Sequence, residues 1–126
     1  MRSVQSIEDL NIPLKHKAYI TEYLQNISGI PFISRVILFG SCATETVTQY
    51  SDIDIFITVN RDVSEEEEFL LMADCLPAYK VGKTVPTDIV VQPEYIFNQH
   101  IDTTCMLQKQ VNYYGVDLSG LIPKRA

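Results

Sequence analysis

The chain has 126 residues, 46% of them hydrophobic and 21% charged, a balance that suits a single domain over residues 1–126 able to bury roughly two-thirds of its unfolded surface. Ten Lys and Arg against sixteen Asp and Glu give a net charge of −6, which argues against an extended nucleic-acid surface held by counterion release. No apolar run reaches the length of about eighteen residues that a membrane span needs, and the N-terminal stretch lacks the pattern of a signal peptide, so a cytoplasmic protein is expected.

In chain order, Ile12 to Ile27 places Leu14, Ala18, Tyr19, Tyr23, Leu24 and Ile27 near one helical face, with Pro13 suited to a first turn. After the breaker Ser28-Gly29-Ile30-Pro31, the run Arg35 to Phe39 is apolar and partly β-branched, and Gly40 bounds it; a buried strand is expected. Ser41 opens a short helical turn. Asp52 to Val59 follows with strand composition and alternating β-branched residues. Ser64 then precedes Glu65 to Glu68 and the apolar Phe69, Leu70, Leu71, Met72 and Leu76, which reads as a capped helix that Pro77 ends. The four glutamates serve the helix dipole and its solvated face. Thr87 to Val91 is a third strand, Pro93 opens a helix through Ile101, and a last helix runs from Thr103 to Tyr114 before Gly115.

Cys42, Cys75 and Cys105 are widely spaced and form no C-x-x-C pair, so they read as reduced thiols. His16 and His100 stand in no ligand spacing and are assigned to surface or helix packing. Gly82-Lys83-Thr84 resembles the end of a P-loop, but Pro77 occupies the place of its first glycine and a strand follows instead of a helix. Asp52-Ile53-Asp54 fails as a calcium loop, since Phe56 takes a ligand position and Ile57 that of the turn glycine. No G-x-G-x-x-G follows a strand.

What remains is Gly40-Ser41, ten residues, Asp52-Ile53-Asp54, and a lone Asp88 in an apolar strand. Residues two apart on a strand share a face with Cα atoms on the order of 6.5 Å apart, so Asp52 and Asp54 offer two carboxylates to one point. Such a pair suits Mg²⁺, which takes few carboxylate oxygens, keeps waters and shares substrate phosphates. Asp88, on a neighbouring strand, adds a third carboxylate as a ligand of a second metal or as the base for an attacking hydroxyl. Gly40 lets a phosphate approach the backbone beside the Ser41 hydroxyl. Three acids within β-branched strands cost several kcal/mol each to bury unpaired, so a bound cation explains them better than structure alone.

Leu38-Phe39-Gly40-Ser41-Cys42-Ala43, with Tyr50-Ser51-Asp52-Ile53-Asp54-Ile55, is similar to the Gly-Ser, ten-residue, Asp-x-Asp signature of the minimal nucleotidyltransferase family in the DNA polymerase beta superfamily. Asp88 looks like the family's third aspartate, and Asn112 to Leu118 resembles its usual chain end. The resemblance covers nearly the whole chain and implies an α/β (α+β) fold, a mixed sheet flanked by helices. It implies catalytic and metal-binding roles for Asp52, Asp54 and Asp88, with Gly40 and Ser41 on the phosphates. It further implies two Mg²⁺ ions, ATP as donor, and transfer of the nucleoside monophosphate with release of pyrophosphate.

One departure stands out: where the family commonly carries Arg-Gly after Gly-Ser-x-Ala, this chain has Thr44-Glu45, replacing a cation by an anion. Arg61, Lys80 and Lys83 are the candidate substitutes. Many members resemble antitoxins that restrain an all-helical HEPN-type toxin by binding or by adding adenylate to it. The length leaves no room for a separate acceptor-binding domain, so a partner protein or an oligomer is expected to complete the acceptor site. The alternative is a non-catalytic antitoxin of the same fold.

Overall fold

A computed structural model describes residues 1–76, 85–103 and 106–123. Among these residues, five strands form one sheet: β1 (Arg2–Ser3), β2 (Ile33–Phe39), β3 (Ile53–Val59), β4 (Thr87–Pro93) and β5 (Val116–Asp117). Its spatial order is β1-β5-β2-β3-β4. The sheet is mixed, because β2 runs antiparallel to β3 and β5 while β3 and β4, and β1 and β5, are parallel. Among the described residues, five α-helices flank it: α1 (Leu14–Asn26), the single turn α2 (Ser41–Thr44), α3 (Glu65–Cys75), α4 (Glu94–Ile101) and α5 (Met106–Tyr114).

The expected mixed sheet flanked by helices is therefore present, and strand parity shows how its two faces are used. Ile53, Ile55, Ile57 and Val59 of β3 point to a core shared with Val36 and Leu38 of β2 and with Ile20, Tyr23, Leu24, Leu71 and Cys75 of α1 and α3. Ile37 and Phe56 point the other way, onto Phe97 of α4 and Val111 of α5. β3 is thus covered on both faces, as its almost unbroken apolar sequence requires. Arg35 of β2 pairs with Glu94 at the start of α4 and lies over the Phe97 ring, fixing α4 to the sheet.

α3 begins as expected: the Ser64 side chain accepts from the Glu67 amide at 3.1 Å while Glu67 accepts from the Ser64 amide at 3.2 Å. This reciprocal cap gives one of the four glutamates a structural role. Phe69 and Leu70 were expected on the apolar face, yet both are exposed and only Leu71 and Cys75 are buried. α1 keeps part of its expected face, with Tyr23, Leu24 and Ile27 buried, but Leu14 and Ala18 are exposed and His16 and Ile20 turn inward in their place. β3 starts at Ile53 and leaves Asp52 in the preceding loop. Pro77, Lys80, the Gly82-Lys83-Thr84 stretch and Cys105 lie outside the described residues.

Candidate active site

Three chain segments meet at one end of the sheet. β2 leaves it at Phe39, whose register partner is Asp54 near the start of β3, and Asp54 stands in register with Asp88 near the start of parallel β4. Both aspartates share strand parity with Phe56 and Val90, so they belong to the sheet face covered by α4 and α5. Asp52 enters the same end from the loop. The structure thus brings Asp54 and Asp88 side by side, with Asp52 close enough for its charge to act on Asp54.

Gly40 turns the chain out of β2 with φ 71° and ψ −152°, a backbone state that side-chain-bearing residues avoid. A Cβ there would stand 2.2 Å from Asp54 Oδ2. The absence of a side chain is therefore what lets the backbone at the strand end lie directly against the carboxylate. Ser41, half-buried, starts α2 immediately beyond, and Cys42 and Ala43 anchor that turn in the core.

The expectation that all three acids are buried needs correction. Asp52 and Asp88 are exposed and only Asp54 is half-buried, because the site lies where the strands open to solvent. Asp54 still has its pKa raised, first by burial, then by the charges of Asp88 and Asp52 and by a hydrogen bond with Asp88. Like charges gathered against a close backbone are relieved by a cation. Among the described residues no group of three or more His, Cys, Asp and Glu is arranged to hold a metal ion. The donor set is an open carboxylate edge, which fits a hard divalent ion that draws its other ligands from water and substrate phosphate. Behind the edge, buried Cys42 has its thiol pushed up to about 11 by burial and by Asp54, which leaves it inert as a ligand at neutral pH.

A cavity of about 380 Å³ reaches Gly40 at the end of β2, lined by Phe39, Gly40, Thr44, Leu107, Gln110 and Tyr114. Of the candidate replacement cations, Arg61 is ruled out by position. It follows the far end of β3, pairs with Glu67 at 2.8 Å and lies over the Phe32 ring. A cation the sequence reading missed does reach the Thr44-Glu45 turn. Pairing of β1 with β5 carries Arg2 there, where it donates to Ala43 O at 3.1 Å and faces Glu45 at 3.5 Å. No local signal reveals this, since Arg2 and Glu45 are joined only through the sheet edge.

A family model described as a nucleotidyltransferase domain matches residues 18–115, a span that runs from within α1 through Asp52, Asp54 and Asp88 to the end of α5. A search of curated proteins finds no match. With more than half of its length covered, the chain belongs to the nucleotidyltransferase-domain family.

Proposed function

We propose that the protein transfers a nucleoside monophosphate, AMP from Mg²⁺-ATP, to a hydroxyl on a partner protein. The observation that carries this reading is the convergence of Asp54 and Asp88 in register beside Gly40, whose missing Cβ leaves the backbone against the carboxylate. Asp52 and Asp54 would hold the metal, which when bound supplies charge neutralisation for the triphosphate. Gly40 and Ser41 place the phosphates at the end of β2. Asp88, exposed and adjacent, receives the proton of the attacking hydroxyl as the new phosphoester bond forms at the α-phosphorus and pyrophosphate leaves.

Two features favour a protein acceptor. The net charge of −6 repels a polynucleotide. The outer face of α5 presents Met106, Leu107, Tyr113 and Tyr114 to solvent, and Leu107 and Tyr114 line the cavity that reaches Gly40. An apolar helical face at the mouth of the site suits a helical partner, and a HEPN-type toxin is the partner class we propose, in a cytoplasmic toxin–antitoxin pair of the minimal nucleotidyltransferase type.

The test is acceptor labelling. ATP labelled on the α-phosphate is incubated with the protein, Mg²⁺, and a helical partner or purified RNA at physiological salt. Label on protein, dependent on Asp88, supports the proposal; label on RNA alone overturns the acceptor assignment. Binding of the partner without any Mg²⁺-dependent transfer would favour the non-catalytic antitoxin.

A further inference from the structure

α1 carries two buried polar side chains on a face that is otherwise apolar. His16 is fully buried and Tyr23 is 2% exposed, in a row with Ile20, Leu24 and Ile27. They stand seven residues apart, two helical turns, and so project from the same side. Packing alone gives no reason for either polar group, and the Nδ1 atom of His16 is buried with no partner.

Their contacts supply the reason. His16 Nε2 bonds to Ser51 O at 2.8 Å, and because a carbonyl can only accept, the ring donates its Nε2 proton. The Tyr23 hydroxyl bonds to Thr87 Oγ1. Thr87 uses its own proton on Val85 O at 3.2 Å, so Tyr23 is the donor in that pair. Ser51 immediately precedes Asp52, and Thr87 immediately precedes Asp88. The two loops are also joined to each other, through Ile53 N to Pro86 O at 2.9 Å. One rigid helix therefore grips the chain one residue before each of the two exposed carboxylates, on either side of Asp54.

The geometry points to His16 and Tyr23 as positioning residues for nucleotidyl transfer: α1 is a two-point clamp that sets the spacing of Asp52 and Asp88 across Asp54. This rests on the proposed function. Exposed acids at strand ends have no packing of their own to hold them, and misplacement of a reacting group by about 1 Å is enough to cost on the order of 100-fold in rate.

Three variants test it: Tyr23→Phe, which removes only the hydroxyl; His16→Gln, whose side-chain amide can still donate toward Ser51 O; and His16→Leu, which cannot. Tyr23→Phe and His16→Leu are expected to lower kcat about tenfold with KM for the nucleotide changed less than about twofold, while His16→Gln stays within about threefold of the parent. Hydrogen exchange is expected to accelerate at residues 51–54 in His16→Leu and at 87–89 in Tyr23→Phe, with helix α1 itself still protected. Unchanged kcat in both disruptive variants, or a loss in His16→Gln equal to that in His16→Leu, would overturn the positioning role. The exchange readout does not depend on turnover. An inactive parent chain would refute the proposed function, whereas unchanged exchange at both segments would refute the clamp.

Discussion

Gly40→Ala probes the site through the backbone. The new Cβ would lie 2.2 Å from Asp54 Oδ2 and 3.1 Å from its Cγ, so the carboxylate must retreat by about 1 Å to reach ordinary contact. It is the end of a short side chain and can swing, which makes the clash cheap for folding but expensive for a metal ligand. The larger folding cost is φ 71° at a residue with a Cβ, on the order of 1–3 kcal/mol. At roughly 4 °C per kcal/mol for a chain of this size, the thermal midpoint should fall by about 4–12 °C. Transfer should fall further than stability explains, by about 100-fold at a temperature where the variant is fully folded. The assay is a double-mutant cycle with Asp54→Ala. That background removes the clash and keeps the strain, so Gly40→Ala should lower its midpoint by a similar amount. A Gly40→Ala protein with the parent's midpoint and transfer rate would refute the close-approach argument.

Asp54→Asn should abolish Mg²⁺-dependent transfer yet stabilise the fold by about half a kcal/mol at pH 7, after allowance for solvent screening at a half-exposed group. A carboxyl whose folded pKa is raised costs stability as pH climbs from the ordinary carboxylate range through that raised value. The gain in the variant should therefore shrink towards pH 4 in paired thermal melts, and a gain that grows on acidification would contradict the sign. Asp88→Asn should reduce the transfer rate much more than nucleotide affinity measured by calorimetry, as expected for a group acting on the proton in flight; equal losses would make it a ground-state ligand. Cys42 and Cys75, buried with thiols pushed up to about 11 and about 12, should resist iodoacetamide at pH 8 until the chain unfolds; labelling of either under native conditions would place it at an accessible surface. Phe97→Ala should cost about 3–5 kcal/mol in denaturant unfolding, because the ring fills the seam between the sheet and α4 beside Phe56.

Sequence pattern revealed the elements that carry their own signals. β3 could be read from alternating Ile53, Ile55, Ile57 and Val59, and the start of α3 from Ser64 and Glu67, since pleat and cap are written locally. The Gly40-Ser41 and Asp52-x-Asp54 spacing likewise picked out the residues of the candidate site, and register pairing brings Asp88 beside Asp54. Features decided by distant pairing stayed hidden. β1 and β5 are two residues each and form through distant pairing, Arg2 and Ser3 against Val116 and Asp117, and these in turn against Leu38 and Ile37, contacts no local window contains. The same pairing moves Arg2 to the Thr44-Glu45 turn. The C-terminal half of the α1 face, Tyr23, Leu24 and Ile27, was legible, but His16 turns inward through its bond to Ser51, where hydrophobic periodicity gives a histidine no reason to be.

Paramagnetic mapping with Mn²⁺ tests the central claim most directly, because it locates the metal–nucleotide complex without needing the acceptor. With ATP present, substoichiometric Mn²⁺ should selectively broaden the amide resonances of Gly40, Ser41, Asp52, Asp54 and Asp88, and Asp54→Asn should abolish the effect. Broadening centred elsewhere, or equal broadening in Asp54→Asn, would contradict a nucleotidyl-transfer site at this end of the sheet.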